Sequence, residues 1–286
     1  MEYGKLYLCA TPIGNLEDIS IRTLNILKSV DLIACEDTRH SLKMLTHFEI
    51  SKPLTSYFEH NKTEKGLKII EKIKDGKNVA LITDAGTPAI SDPGEDLVRL
   101  CAENGVDVVP VPGPAALINA LIVSGLPTGR FSFEGFLSVN KKSRADHLDE
   151  VKNDTRTLIF YEAPHKLLRT LNDMAKVFGD RKIALVREIT KIHEEVKRTT
   201  LFEAVKFYTE NPPKGEFVLV IEGKSYVELS EEKAEKFENI SVTEQINALI
   251  GEGIDKKDAI KQVAVLRNMK KRDVYNEYVK NTEGEF

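Results

Sequence analysis

At 286 residues with 41% hydrophobic content, the chain is long enough for about two domains with ordinary cores. Its formal charge of -4, from 41 Lys and Arg against 45 Asp and Glu, excludes a protein that is basic throughout, though not a local basic patch. No run approaches the roughly 20 apolar residues of a membrane span, and the opening MEYGK lacks a signal-peptide pattern, so the cytoplasm is the expected location.

The first strand is expected at residues 5–10 (KLYLCA), broken at once by TPIGN, a first candidate ligand loop. Ile19, Ile21, Leu24, Ile26 and Leu27 form a helical face, and 31–35 (DLIAC) restarts a buried strand. Strand, helix and strand in that order imply a parallel sheet. Glu36, Asp37, Thr38, Arg39 and His40 follow at the strand end and open a helix toward Phe48; such a cluster suits either a satisfied cap or part of a site. A short strand at 54–57 precedes a helix over 63–74 whose expected apolar face is Leu67, Ile70 and Ile73.

The stretch 79–94, VALITDAGTPAISDPG, is the centre of the chain. Its continuous apolar start suits a parallel strand covered on both faces, and Asp84 then lies where open α/β sheets place ligands. Gly86, Gly94, Pro88 and Pro93 shape the loop, and Ser91 and Asp92 are expected to cap a helix over 95–102. A strand at 106–111 (VDVVPV) runs into a third loop, Pro112, Gly113, Pro114, Ala115 and Ala116, small enough to admit a flat ligand at the start of a helix over 117–123. Cys9, Cys35 and Cys101 occupy apolar runs without paired spacing and read as reduced core residues.

The turn formers at 124–129 mark a boundary. Beyond it, strands are expected at 131–137, 157–161, 182–188, 196–201 and 217–222, with a basic loop at 140–144 and a helix carrying Leu167, Leu168, Leu171, Met174 and Ala175. A charged linker at 228–238 leads to three short helices, the first opened by the capping box Ser241 to Glu244 and the second capped by Asp255. Lys256, Lys257, Lys261, Arg267, Lys270, Lys271 and Arg272 face only Asp258 in that segment, which favours phosphate contacts over a merely solvated face. The expected domains are therefore 1–124, 125–227 and 228–286.

Phosphate-loop, dinucleotide and nucleophile-elbow motifs are missing from the sequence, and its six histidines show no metal-ligand spacing, so no metal is expected. Strand-end loops rich in backbone groups suit a cofactor that brings its own reactivity, such as a methyl sulfonium donor.

Nine ordered motifs sharpen this reading: TPIGN, CEDTR, TDAGTPAISDPG, VPGPAA, SGLPT, FEGFL, FYEAPHK, REITKIHEE and KGEFVLVIEG. Together they resemble the RsmI-type methyltransferases, which methylate a cytidine ribose 2′-hydroxyl in bacterial small-subunit ribosomal RNA, within the tetrapyrrole methylase superfamily. The resemblance implies an α/β, two-domain tetrapyrrole-methylase-like fold, with a parallel-sheet N-terminal domain and a mixed-sheet α+β second domain, here followed by a small helical module. It also implies S-adenosylmethionine as cofactor, small-subunit ribosomal RNA or the small subunit as partner, and usually a homodimer. By resemblance the cofactor contacts Pro12, Gly14, Asp84, Gly86, Thr87, Pro88, Ala89, Pro112, Gly113, Ala115 and Ala116, with Tyr161 and Glu162 closing the pocket.

Near the acceptor the catalytic candidates are Glu36, Asp37 and Arg39. Candidate RNA contacts are His60, Lys141, Lys142, Arg144, Lys166, Lys191, Lys270, Lys271 and Arg272; each of these charged residues has a competing role in capping or ion pairing. The corrin and porphyrin methylases carry a G-x-G-P-G-D first loop, whereas this chain has TPIGN, which counts against a tetrapyrrole acceptor. A modified protein side chain as acceptor and a non-catalytic RNA-binding protein are the other readings.

Overall fold

The computed structural model describes residues 2–230, 240–267 and 269–282. Five strands, β1 (Leu6–Cys9), β2 (Leu32–Cys35), β3 (Leu54–Ser56), β4 (Val79–Leu81) and β5 (Val108–Val111), form a wholly parallel sheet in the order β3-β2-β4-β1-β5. β2 and β4 are buried along their whole length, as strands covered on both faces must be. The crossovers are α1 (Ile21–Ser29), α2 (Thr38–His47), α3 (Lys62–Lys74) and α4 (Gly94–Glu103). One face packs Leu6, Leu81, Ile69, Ile73 and Leu97 together, and the other packs Cys9, Ile33, Leu27, Leu45 and Ile82. Cys9, Cys35 and Cys101 are buried and unbridged.

Two local expectations are corrected. In α3 the buried residues are Gly66, Ile69, Ile70 and Ile73, while Leu67 is 52% exposed. The inward stripe is rotated because Gly66, without a side chain, lets the helix approach α4: a Cβ there would lie 2.8 Å from Leu100 Cδ1. Ser91 does not cap α4; only Asp92 does so, its carboxylate accepting from Gly94 N at 2.7 Å.

Helix α5 (Ala116–Ser124) leads to a second sheet of β6 (Phe131–Phe136), β7 (Thr157–Glu162), β8 (Lys182–Arg187), β9 (Glu195–Thr200) and β10 (Phe217–Ile221), ordered β6-β7-β10-β8-β9. Only β6 and β7 run parallel; the other pairings are antiparallel. Helices α6 (Lys141–Val151), α7 (Pro164–Phe178) and α8 (Leu201–Glu210) accompany it, and α5 packs on the opposite face with Ile159, Ala184 and Val220.

Both sheets belong to one compact unit, Met1–Glu150 with Arg156–Glu222; Val151–Thr155 and Gly223–Phe286 make up a second. From residue 231 the expected linker lies outside the described residues. Within the second unit, α9 (Val242–Gly251), α10 (Lys256–Leu266) and α11 (Lys271–Thr282) close around Ile246, Ile260, Val263 and Val274. The Ser241–Glu244 capping box is formed, and Asp255 caps α10. Among the described residues, no helix is long and apolar enough to cross a membrane.

Candidate active site

Three loops leave the carboxyl ends of β1, β4 and β5 and are tied to one another by hydrogen bonds to main-chain carbonyls. Thr11 N donates to Gly86 O at 2.9 Å and Gly86 N returns to Thr11 O at 3.1 Å. Thr87 Oγ1 donates to Pro114 O at 2.9 Å. Gly86 adopts φ +89°, a conformation that side chains rarely take, and Ala89 and Ser91 hold left-handed backbone at φ +68° and +62°. Non-glycine residues in that region cost about 1–3 kcal/mol each, and such strain clusters at ligand sites.

These loops border a cavity of about 530 Å³ within the first unit. Of the residues expected at a cofactor, Asp84, Gly86, Thr87, Ala115, Ala116, Tyr161 and Glu162 line it, as do Glu36 and Lys191. Pro12, Gly14, Pro88, Ala89, Pro112 and Gly113 are not among the lining residues. Some of them fix how the chain passes instead: a Cβ on Gly113 would lie 2.8 Å from Ala10 Cβ, and one on Gly14 would lie 2.4 Å from Lys191 Cγ.

The cavity is rich in carboxylates, but most are already engaged. Glu162, fully enclosed at the end of β7, accepts from Ala163 N at 2.8 Å and from Thr170 Oγ1, and pairs with Lys166 at 3.2 Å. Glu188 and Glu216 both bind Lys191 Nζ, at 2.9 and 3.0 Å. Burial alone would raise the Glu188 pKa, but the Glu216 N–H and Lys191 outweigh it and hold the carboxyl below its usual range. Asp92 caps α4. The acids left facing the cavity are Asp84, which accepts a single 3.3 Å bond from Asp37 N, and Glu36. Partial burial, then the charges of Asp84, Asp92 and Asp37, push the Glu36 carboxyl above its usual pKa.

Tyr161 Oη accepts from Leu117 N at 3.2 Å, so one of the open N–H groups at the start of α5 is already taken, and burial raises the Tyr161 pKa. Asp37 caps α2 by accepting from Arg39 N at 2.8 Å, and the exposed Arg39 side chain pairs with it at 3.5 Å. Neither lines the cavity. His60, Lys141 and Lys142 are exposed outside it, and Lys166 is held by Glu162. Arg144, expected to face RNA, is instead 3% exposed: its Nε donates to Asp173 at 2.8 Å and its Nη1 to the carbonyls of Ser138 and Val139. That correction has a plain cause, since α6 turns the residue inward under α7, whose partner acid lies 29 positions away in sequence. Lys270, Lys271 and Arg272 are exposed in the second unit.

Phe136, Glu188 and Glu216 line the cavity without having been singled out by the sequence reading. The signal was present, because each falls in or beside a motif, FEGFL, REITKIHEE or KGEFVLVIEG, that carried the family resemblance.

Residues 5–205 match the family Tetrapyrrole (Corrin/Porphyrin) Methylases. Similar curated proteins include "Ribosomal RNA small subunit methyltransferase I" of Halalkalibacterium halodurans, 48% identical over 96% of this chain and 94% of its own length. The protein of that name from Bacillus subtilis is 48% identical over 97% and 94%, and that from Haemophilus influenzae 47% over 95% of each chain. Among solved structures, a diphthine synthase covers 78% of this chain and 91% of its own at 16% identity with a TM-score of 0.62. A uroporphyrin-III-C-methyltransferase from Thermus thermophilus covers 80% and 98% at 19% identity and 0.55. At such identities these two structures speak for the fold alone.

Proposed function

This chain belongs to the tetrapyrrole (corrin/porphyrin) methylase family and, within it, to the ribosomal RNA small subunit methyltransferases I, and on that premise we propose that it methylates a cytidine ribose 2′-hydroxyl of small-subunit ribosomal RNA. The observation that carries the reading is the pair of acids left facing the cavity, Glu36 and Asp84. An electronegative pocket suits a donor whose methyl sits on a positive sulfur. Bound there, S-adenosylmethionine would supply an already activated methyl group.

The residues present fit that cofactor. Asp84 would hold its cationic amino group, and the open N–H groups at the start of α5, at Ala115 and Ala116, would receive its carboxylate. Gly86 and the two alanines keep the floor free of bulk, and Tyr161 fixes one wall. Glu36 would take the hydroxyl proton as the acceptor oxygen attacks. The exposed Lys256, Lys257, Lys261, Lys270, Lys271 and Arg272 of the second unit would bind phosphates, an appendage that a small tetrapyrrole or a protein side chain does not need. The protein would act in the cytoplasm on ribosomal RNA or the small subunit. Ile118 and Ile122, 42% and 64% exposed on the outer side of α5, favour a homodimer, and sedimentation at a monomer mass of 32.1 kDa would exclude it.

One experiment tests the reading: calorimetric titration with S-adenosylmethionine beside methylation of small ribosomal subunits, for the wild type, Asp84→Ala and a chain ending at residue 239. Asp84→Ala should lose cofactor affinity by roughly tenfold to a hundredfold, the range for a hydrogen bond to a charged group. The truncated chain should keep cofactor affinity and bind RNA more weakly, with a shallower salt dependence. A wild type that binds RNA but no cofactor, with or without RNA present, would restore the non-catalytic reading.

A further inference from the structure

Strand β6 contains an irregularity that moves one aromatic ring to the cavity mouth. Phe133 pairs with Ile159, but the next partners are Gly135 with Phe160 and Phe136 with Tyr161, so Glu134 is an extra residue in the strand. Strict alternation would place Phe136 on the opposite face from Phe133, three positions earlier. The bulge restores it to the same face, and both rings stand edge-on to Tyr161, with centroids 4.9 and 5.5 Å away. Gly135 takes the φ of +64° that the bulge requires. The carboxylate of Glu134 is anchored by Ser132 Oγ and by His147 Nε2, the latter at 3.0 Å.

The outcome is costly for packing alone, because Phe136 is left 53% exposed although it lines the cavity. A half-buried phenylalanine forgoes much of the roughly 1.5–3 kcal/mol that full burial would contribute. On the same cavity Ile90 is 42% exposed, in the strained segment between Ala89 and Ser91. Ser91 is a close neighbour of the bulge, since a Cβ on Gly135 would lie 3.6 Å from its Oγ. Lys166 Nζ sits 5.5 Å from the Phe136 ring centroid. The mouth therefore offers one flat aromatic face and one aliphatic side chain, while the Lys166 charge near the ring is already paired with Glu162 at 3.2 Å.

We infer that Phe136, turned into the mouth by the Glu134 bulge, stacks the base of the acceptor nucleotide, so that the substrate is a nucleotide unpaired from its helix or extruded from it. The inference rests on the functional reading above and specifies its acceptor. A ribose 2′-hydroxyl that reaches into the cavity brings its base along, one glycosidic bond from the neighbouring carbon. A base still stacked in a duplex cannot follow, and an aromatic ring compensates the stacking that is lost. Ile90 faces the same space.

The test compares Phe136→Ala, Phe136→Leu and Phe136→Trp with the wild type. The readouts are KM and kcat on small ribosomal subunits, S-adenosylmethionine affinity by calorimetry, and the melting temperature. Alanine and leucine should raise the KM for subunits by roughly tenfold to a hundredfold, as loss of one base–aromatic stack does. Tryptophan should retain near-wild-type KM, and cofactor affinity should be unchanged in all three. A leucine variant with wild-type KM would overturn the inference, because apolar bulk alone would then suffice. Cofactor affinity falling in parallel with KM would overturn it as well, since the ring would then belong to the donor site. If the wild type itself neither binds cofactor nor transfers methyl, the functional reading has failed, an outcome visible before any variant is compared.

Discussion

Replacing Glu36 with glutamine should slow methyl transfer by roughly a hundredfold to ten-thousandfold, the contribution of one positioned general base, while S-adenosylmethionine still binds. The geometry singles out this acid from its neighbours. Asp37 is bound to the first turn of α2, and its carboxyl is held below the usual range first by the Arg39 N–H, which makes it a poor base. Glu36 lines the cavity and is raised by burial and by Asp84, Asp92 and Asp37. A ribose hydroxyl is a very weak acid, so the more basic carboxylate is the better acceptor of its proton. The sign of the pH effect follows: above its raised pKa Glu36 is ionised and competent, and below it the protonated group cannot accept. The rate should therefore fall as pH drops through a value above the ordinary 4.5 of a glutamate. Asp84→Asn removes one of the repelling charges, so the acidic limb should shift to lower pH. A pH–rate profile on small subunits checks both statements. Wild-type rates in Glu36→Gln, or an acidic limb that survives it unmoved, would assign the proton to another group.

The parallel sheet was legible because β2 and β4 are continuous apolar runs, and strand ends announce themselves where those runs stop at TPIGN, CEDTR and TDAG. The turn chemistry around Gly86 and the Ser241 cap is local, and local rules suffice for it. What failed depends on distant residues. Leu67 looked like core because its spacing fits Ile70 and Ile73, yet the contact of Gly66 with Leu100 rotates the buried stripe. The strand FSFEGF cannot reveal that one of its residues is extra, since that is decided by its register with β7. Charged side chains were the least legible group. Lys191 is drawn to Glu216 from 25 positions away and Arg144 to Asp173 from 29, and no charge pattern along the chain foretells such pairs. The same dependence on tertiary neighbours separates Glu36 from Asp37, adjacent acids of which the first lines the cavity and the second caps α2.

Arg144→Met should lower the stability of the first unit by about 3 kcal/mol, the lower end for breaking a buried ion pair. The lower end applies because Asp173 keeps 24% of its side chain in solvent and can be partly rehydrated. The guanidinium does more than neutralise that acid. Its Nη1 also satisfies the Ser138 and Val139 carbonyls, at 3.0 and 3.2 Å, and so fastens the segment between β6 and α6. Methionine fills similar space but donates to none of the three, leaving polar groups unmatched. For a unit of this size the melting temperature should drop by roughly 6–12 °C, at about 2–4 °C per kcal/mol. Lysine should rescue little, because a single ammonium cannot reach in three directions with the fixed fork of arginine. Pairing Arg144→Met with Asp173→Leu should recover part of the loss, since the acid would no longer be left with only the longer 3.9 Å pairing to the exposed Lys176. The KM for small subunits, measured below the melting range, should stay at its wild-type value in the single variant. If instead the melting temperature holds and the KM rises, Arg144 faces RNA after all and its inward pairing is not what the residue contributes.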